Sequence, residues 1–196
     1  MTFDPKIKAL IFDCDGTLVN TLPIYYQAWL ASFKQSGHEF PYEFLIKRNG
    51  VKAEKIMLEF NHVFNATIDI PAFIASTEKM VYDSMDQVEE ITPIADILRQ
   101  YSQTYPCIVF SGGAAKNVHK SLEVTNLKQY AQQIITADDD FPAKDDPEAY
   151  KQIAALLSLK PEDCHFFEDG ELAIQAARNS GMQVTEINEA MFEKIT

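Results

Sequence analysis

The chain has 196 residues, 46% of them hydrophobic. This length and composition suit one compact core with a modest insert, and they exclude a chain that is disordered as a whole or a large multidomain protein. Its 29 acidic and 17 basic side chains give a net charge of −12, which disfavours nonspecific binding to nucleic acid or to an anionic membrane. No apolar run approaches the roughly 20 residues of a membrane span, and the first residues lack a secretory-signal pattern, so we expect a cytoplasmic protein.

Short apolar runs that end in polar turns recur along the chain and predict buried parallel strands. The first run covers residues 7–12 and leads directly into Asp13. Further candidate strands cover residues 107–110, 133–136, 164–167 and 183–187. Helical spacing separates them, over residues 94–101, 114–123, 148–157 and 172–180. This alternation predicts an α/β fold with a mainly parallel sheet.

Residues 22–90 interrupt the alternation, because their apolar spacing indicates one helix after another. The candidate helices lie around residues 25–33, 44–46, 55–60 and 72–85. Proline-containing turns at residues 21–23 and 92–93 are the predicted hinges of this segment. We therefore expect residues 1–20 and 91–196 to form the core, and residues 21–90 to form an inserted helical domain.

The three cysteines, Cys14, Cys107 and Cys164, are odd in number and far apart. They form neither a disulfide framework nor a CxxC zinc spacing, so we expect reduced thiols. Cys14 stands between two aspartates, whose charges disfavour a thiolate and therefore a cysteine nucleophile.

Polar clusters directly follow three of the predicted strands. They are Asp13-Cys14-Asp15-Gly16-Thr17, Ser111-Gly112-Gly113 and Glu168-Asp169-Gly170. The carboxyl ends of parallel strands meet at one edge of a sheet, where ligands bind. An isolated Asp-x-Asp-Gly would indicate only a turn whose carboxylates cap backbone N–H groups. The apolar strand before it and the two later clusters favour a functional site.

The same motifs resemble those of the haloacid dehalogenase superfamily of phosphotransferases. The resemblance is carried by IFDCDGTLVNT at 11–21, VFSGG at 109–113, Lys144 within AKDDPEAY, and FFEDGELAIQAARNSGM at 166–182. The helical insert falls where members with an α-helical cap carry theirs. The resemblance thus implies a Rossmann-like, three-layer core with an α-helical cap.

The resemblance also implies a role for each motif in phosphoryl transfer. Asp13 would attack phosphorus to form an aspartyl-phosphate, and Asp15 would act as general acid and then as general base. Thr17 would fix this loop beside the phosphate. Ser111 and the N–H groups of two glycines would hold phosphate oxygens, and a lysine would balance the negative charge. The two glycines are Gly112 and Gly113, and the lysine is Lys144.

Four carboxylates beside a phosphate would repel one another strongly unless a cation lay among them. Mg²⁺ is the expected cofactor, because it prefers hard oxygen ligands. The expected ligand set is Asp13, Asp169 and the backbone carbonyl of Asp15, with Glu168 at the edge of the site.

Two of the expected site residues depart from the family pattern or have an alternative interpretation. Lys144 is followed by Asp145, where members of the family commonly have proline. The segment from Arg48 through Asn49 to Lys52 resembles a cap loop that points into the cleft of sugar-phosphate members. Lys52 is the predicted substrate contact, and a polar turn between helices is the equally weighted alternative.

The chain is similar to the β-phosphoglucomutase and fructose-1-phosphate phosphatase-like members of the superfamily. The mutase pattern has histidine where Tyr25 stands and arginine where Ala53 stands, and these differences favour hydrolysis. We therefore expect a Mg²⁺-dependent phosphatase that acts on a small phosphate ester such as a sugar phosphate. A sugar phosphomutase is the alternative, and a phosphate-binding protein without turnover is the third hypothesis. We expect a monomer that binds neither nucleic acid nor membrane.

Overall fold

The computed structural model of the protein describes residues 3–46 and 53–188. The chain divides into two compact units, one formed by Met1–Thr21 with Asp86–Thr196 and the other by Leu22–Met85. Among the described residues, no helix is long and apolar enough to cross a membrane.

A five-stranded parallel sheet forms the centre of the first unit. In chain order the strands of the protein are β1 (Ala9–Phe12), β2 (Val19–Asn20), β3 (Glu89–Glu90), β4 (Cys107–Phe110), β5 (Gln133–Ile135), β6 (Cys164–Glu168) and β7 (Gln183–Glu186). The order in the main sheet is β5-β4-β1-β6-β7, and each neighbouring pair is parallel. The predicted α/β class and all five long strands are therefore confirmed.

The helices occupy the predicted segments, with ends that differ by a few residues. They are α1 (Leu22–Gln35), α2 (Tyr42–Ile46), α3 (Ala53–Val63), α4 (Ile70–Ser84), α5 (Thr92–Tyr101), α6 (Ala115–Val124), α7 (Pro147–Leu156) and α8 (Glu171–Ser180). Helix α8 ends at Gly181, which adopts a φ of 102° that favours glycine. Helices α5 to α8 alternate with the strands of the main sheet, whereas α1 to α4 form the second unit.

Strands β1, β4 and β6 are buried along their whole length. Their nearly continuous apolar sequences are typical of parallel strands that are covered on both faces. In the register, Leu10 of β1 lies beside Cys107 of β4 and His165 of β6. The carboxyl end of β1 therefore lies between those of β4 and β6, which places three sequence motifs side by side.

A two-stranded antiparallel ribbon, β2 with β3, is an element that the sequence patterns did not predict. Val19 pairs with Glu90 and Asn20 with Glu89. Strands of two residues are too short to show the alternation by which a strand is recognised. Arg99 of α5 forms ion pairs with Glu90 and with Asp96, which ties the ribbon to the first unit.

The second unit has a small aromatic core of its own. Phe33, Met57, Phe60 and Phe73 are its buried members. The Phe33 ring lies 4.9 Å from that of Phe60 and 5.0 Å from that of Phe73, both edge to face. In the same unit, the buried hydroxyl of Thr77 donates to Ser32 at 2.6 Å. Helices α1, α3 and α4 supply these buried members, and the partly buried Phe44 and Leu45 of α2 pack against them.

Candidate active site

Three acidic side chains converge at the carboxyl edge of the main sheet. Asp13 directly follows β1, Glu168 ends β6, and Asp169 comes next. One carboxylate oxygen from each lies within 4.8 Å of the others. Asp13 is 3% exposed and Glu168 is 2% exposed. Such burial of like charges costs free energy unless cations or hydrogen bonds compensate it.

Lys144 provides one compensating charge inside the cluster. Its amine donates to Asp13 Oδ1 at 2.5 Å and forms an ion pair with Glu168 Oε2. The amine also lies over the rings of Phe110 and Phe166, at 5.9 and 5.6 Å from their centroids. Burial by itself would lower the pKa of Lys144, but Asp13 and Glu168 raise it well above its usual range. The lysine is therefore charged.

Both oxygens of Glu168 have partners within the protein. Oε1 accepts hydrogen bonds from the backbone N–H groups of Asp169 at 3.1 Å and Gly170 at 2.8 Å, where α8 begins. Oε2 belongs to the ion pair with Lys144. Burial and, next, the charge of Asp13 raise the pKa of Glu168. Its contacts are those of a side chain that joins the start of α8 to Lys144.

Asp15 is held by two hydroxyl groups. Thr21 Oγ1 donates to one carboxylate oxygen at 2.7 Å, and Ser111 Oγ donates to the other at 3.1 Å. Burial is the main cause that raises the pKa of Asp15, and the charge of Asp13 adds to it. A carboxyl group in this position takes up a proton more readily than an ordinary aspartate.

The turn after β1 is shaped around Asp169. Gly16 has a φ of 86°, and a Cβ atom there would lie 2.5 Å from Asp169 Oδ2. Thr17 is fully buried, and its hydroxyl donates to Asp169 Oδ1 at 3.2 Å. Burial and the charge of Asp13 raise the pKa of Asp169 to about 6. Only glycine at position 16 allows the carboxylate to approach the turn so closely.

The loop between β4 and α6 carries the Ser-Gly-Gly motif. Ser111 Oγ accepts a hydrogen bond from the backbone N–H of Gly113 at 3.0 Å while it donates to Asp15. A Cβ atom at Gly113 would lie 3.0 Å from Asp15 Oδ2 and 3.2 Å from Ser111 Oγ. At the start of α6, Asp138 accepts from the backbone N–H of Ala115 at 2.8 Å. The loop is thus packed against Asp15.

Cys14 lies between the two aspartates of the first motif and is buried. Burial, followed by the charges of Asp15 and Asp13, raises the pKa of its thiol well above the usual value. Its sulfur lies 3.6 Å from Ser121 Oγ. A neutral, buried thiol is not a nucleophile, in agreement with the interpretation of the sequence.

The structure brings Asp13, Asp15, Thr17, Ser111, Gly112, Gly113, Lys144, Glu168 and Asp169 to the same edge of the sheet. Lys52, Arg48 and Asn49 lie outside the described residues. The sequence patterns identified Thr21 only as part of a hinge, and they did not single out Tyr150, whose hydroxyl donates to the Lys144 carbonyl oxygen at 2.8 Å. The Asp-Gly-Thr motif does not indicate that Thr21, six residues after Asp15, would supply a hydroxyl to that carboxylate. The apolar spacing of the helix that contains Tyr150 indicates only that this residue is buried.

The chain is similar to known proteins over nearly its whole length. The family model described as haloacid dehalogenase-like hydrolase matches residues 10–187. An uncharacterized protein of Haemophilus influenzae is 30% identical over 186 residues, which cover 94% of this chain and 92% of that protein. Fructose-1-phosphate phosphatase of Escherichia coli is 27% identical over 183 residues, or 93% of this chain and 97% of the relative.

Among solved structures, a haloacid dehalogenase-like protein of Agrobacterium tumefaciens has a TM-score of 0.77 at 23% identity. The alignment covers 92% of this chain and 82% of that one. This likeness concerns the fold, and it agrees with the parallel sheet described above.

Proposed function

Because the chain belongs to the haloacid dehalogenase-like hydrolase family, we propose that it hydrolyses a small phosphorylated metabolite through an aspartyl-phosphate on Asp13. The observation that carries this proposal is the contact of the Lys144 amine with Asp13, beside an Asp15 whose carboxylate is held by two hydroxyls. The Lys144–Asp13 contact joins residues 131 positions apart in the chain, and the Ser111–Asp15 contact joins residues 96 positions apart. Phosphoryl transfer needs these groups together.

In the first half-reaction, a carboxylate oxygen of Asp13 attacks the phosphorus atom of the ester. The new O–P bond forms as the bond from phosphorus to the ester oxygen breaks. Asp15 donates its proton to the departing oxygen, so an alcohol leaves and Asp15 becomes a carboxylate. The raised pKa of Asp15 favours the protonated form that this step uses.

In the second half-reaction, a water molecule attacks the phosphorus of the aspartyl-phosphate. Asp15 accepts a proton from the water, and the bond between phosphorus and Asp13 breaks. Inorganic phosphate leaves, and Asp13 regains its carboxylate. Lys144 stays beside Asp13 throughout, where its charge stabilises the negative charge of the carboxylate and the phosphoryl group.

The acidic cluster fits a divalent cation with a preference for oxygen ligands. Asp13, Glu168 and Asp169 each offer a carboxylate oxygen, and these three oxygens lie within 4.8 Å of one another. Asp13, Asp169 and the backbone carbonyl of Asp15 would hold Mg²⁺, while Glu168, whose oxygens are both occupied, would lie beside it. When bound, Mg²⁺ supplies positive charge that offsets the carboxylates and the phosphate.

The loop that begins at Ser111 would hold the phosphate oxygens. At the end of β4 the Ser111 hydroxyl donates to Asp15 and accepts from the N–H of Gly113, and Gly112 stands between these two residues. The proposal requires these donors to turn to the phosphate when it binds. We assign Thr17 to the positioning of Asp169, since its hydroxyl is buried in that contact. Substrate selection by Lys52 is part of the same proposal and rests on the sequence alone.

The relative from Escherichia coli named fructose-1-phosphate phosphatase supports a sugar phosphate as the substrate class. Tyr25 and Ala53, which stand where the mutase pattern has histidine and arginine, support transfer to water over transfer to a sugar hydroxyl. A phosphomutase and a phosphate-binding protein without turnover are therefore outcomes that the experiment must separate.

The test is a panel of phosphorylated metabolites, including hexose 1-phosphates, assayed for inorganic phosphate with and without Mg²⁺. We expect phosphate release that needs Mg²⁺ and that falls by at least about 10³-fold in Asp13→Asn, because the nucleophile is lost. Conversion of a hexose 1-phosphate to the 6-phosphate without phosphate release would identify a mutase. Binding across the panel with no turnover would contradict the enzymatic proposal.

A further inference from the structure

We propose that Tyr150 is a positioning residue that holds the backbone of Lys144, so that the lysine amine reaches Asp13 and Glu168. This inference rests on the proposed function, because it assigns Tyr150 to the same reaction. Tyr150 is fully buried, and its hydroxyl donates to the carbonyl oxygen of Lys144 at 2.8 Å.

The segment that carries Lys144 is a short turn between β5 and α7. The N–H of Asp146 donates to the carbonyl oxygen of Ala143 at 3.0 Å, which closes the turn around Lys144. Asp146 then caps α7 by accepting from the N–H of Glu148 at 2.9 Å. These two contacts fix the ends of the turn, and the Tyr150 hydroxyl is the side-chain contact that fixes the lysine's own carbonyl group.

The aromatic ring of Tyr150 cannot easily move away from this contact. Its centroid lies 5.8 Å from that of Phe110 and 5.3 Å from that of Phe166. The same two rings lie under the Lys144 amine. Tyr150 therefore packs on the rings that line the lysine side chain and binds the lysine backbone as well.

The position of Lys144 matters because its amine must contact two carboxylates simultaneously. Its side chain is 16% exposed, and it reaches Asp13 at 2.5 Å while also pairing with Glu168. A lysine has four rotatable side-chain bonds, so a displaced backbone would let the amine turn towards solvent. Catalytic groups misplaced by about 1 Å lose much of their effect.

The test compares Tyr150→Phe, which removes only the hydroxyl, with Ile153→Val as the matched control. Ile153 is buried and lies three residues further along α7, on the same face, so Ile153→Val changes the packing of the helix without removing a polar group. In Tyr150→Phe we expect kcat for phosphate release to fall about three- to tenfold, the range expected for one buried hydrogen bond. In Ile153→Val we expect wild-type kcat.

A second measurement does not depend on turnover. Competitive acetylation of lysines with acetic anhydride, followed by mass spectrometry, reports the accessibility of Lys144 against that of Lys151, whose side chain is 55% exposed. We expect Lys144 to react slowly in the wild type and about three- to tenfold faster in Tyr150→Phe, with Lys151 unchanged. Unchanged labelling of Lys144, or an equal rise in Ile153→Val, would overturn the inference.

A double substitution separates positioning of Lys144 from a general structural effect. In a Lys144→Ala background, Tyr150→Phe should cause no further loss of kcat, because the group it positions is absent. A further loss equal to that in the wild-type background would overturn the inference. If the wild type releases no phosphate from any ester, the proposed function fails, whereas the labelling experiment still decides the role of Tyr150.

Discussion

Asp13 and Asp15 have different hydrogen-bond partners, and this difference suits the separate chemical roles that we propose for them. Asp13 contacts the Lys144 amine, which places a cation directly beside its carboxylate. Asp15 instead receives hydroxyl groups from Thr21 and Ser111, and burial raises its pKa. Two aspartates that are two residues apart thus suit different tasks, one as the nucleophile and the other as the acid.

Substitution of Asp15 tests this separation. In Asp15→Asn, turnover of alkyl phosphates should fall on the order of 10²-fold or more, because a poor leaving group needs a proton donor. Turnover of phosphate esters of acidic phenols should fall much less, because a phenolate leaves without needing a proton. The measurement is kcat for an alkyl and an aryl phosphate under the same conditions. Equal losses for the two substrates would count against Asp15 as the acid.

The left-handed turn at Gly16 gives a second prediction at this scale. Gly16→Ala combines backbone strain with a Cβ atom 2.5 Å from Asp169 Oδ2, so both the turn and the carboxylate must move. Gly37 is a matched control, because it has a φ of 78° but nothing within 4 Å of an added Cβ. Gly37→Ala should cost about 1 kcal/mol of unfolding free energy by strain alone.

The measurements are urea unfolding and the Mg²⁺ concentration that gives half-maximal activity. Gly16→Ala should destabilise the protein more than Gly37→Ala does, and it alone should raise the Mg²⁺ requirement, since Asp169 is displaced. Identical effects of the two substitutions would mean that the close approach of Asp169 to Gly16 affects neither stability nor the Mg²⁺ requirement.

At the scale of the elements, the site is formed where helices begin just after parallel strands. Helix α8 starts directly after β6, and Glu168 accepts from the backbone N–H groups of Asp169 and Gly170 at that junction. These two N–H groups come just before the first helical residue, Glu171, and Glu168 gives them an acceptor. The turn that leads into α8 and the ion pair with Lys144 therefore use the same carboxylate.

The N-terminal cap of α4, in the second unit, gives a prediction about stability that does not depend on catalysis. Asp69 accepts from the N–H of Ala72 at 3.0 Å and caps α4. Asp69→Ala should lower the free energy of unfolding by about 1 kcal/mol. Asp83→Ala, at the other end of α4, removes only an exposed ion pair with Lys79 and should cost about 0.3–0.5 kcal/mol. Equal losses in chemical unfolding would contradict the assignment of the cap.

For the molecule as a whole, stability depends on how buried ionisable groups respond to pH. Burial lowers the pKa of His165, whose ring lies 5.2 Å from that of Phe3 and 5.0 Å from that of Phe167. The pKa values of Glu168 and Asp169 are shifted in the opposite direction, since desolvation and then the charge of Asp13 raise the pKa of Glu168 to about 8 and that of Asp169 to about 6. As the pH falls, protonation of His165 therefore favours the unfolded chain, whereas protonation of these carboxyl groups favours the folded one.

The contribution of His165 can be isolated by comparison with His165→Phe. With its pKa lowered in the folded state, the unfolded chain binds a proton at a higher pH than the folded chain does, so acid favours unfolding. This stabilising preference for the neutral ring is present above about pH 6.5 and is lost as the pH falls below that value. The stability of the wild type relative to His165→Phe should therefore decline between pH 8 and pH 5. A constant difference in thermal unfolding would show that His165 does not titrate abnormally.

Local patterns in the sequence were sufficient for the parallel strands, the helical insert and the acidic motifs. The strands at 107–110 and 164–168 are largely apolar runs that lead into polar residues. Such runs can be recognised from the local sequence, without knowing which strands pair with them. The β2–β3 ribbon could not be predicted, because its two-residue strands depend on pairing between segments about 70 residues apart.

The sequence by itself determined which residue types stand at the ends of the strands, and hence the family and the class of chemistry. Only the tertiary structure decided what each of them contacts: that both oxygens of Glu168 are occupied, that Thr17 holds Asp169, and that Tyr150 holds the backbone of Lys144. The physical reason is that motifs repeat locally, whereas a hydrogen bond depends on distances that only the folded chain defines.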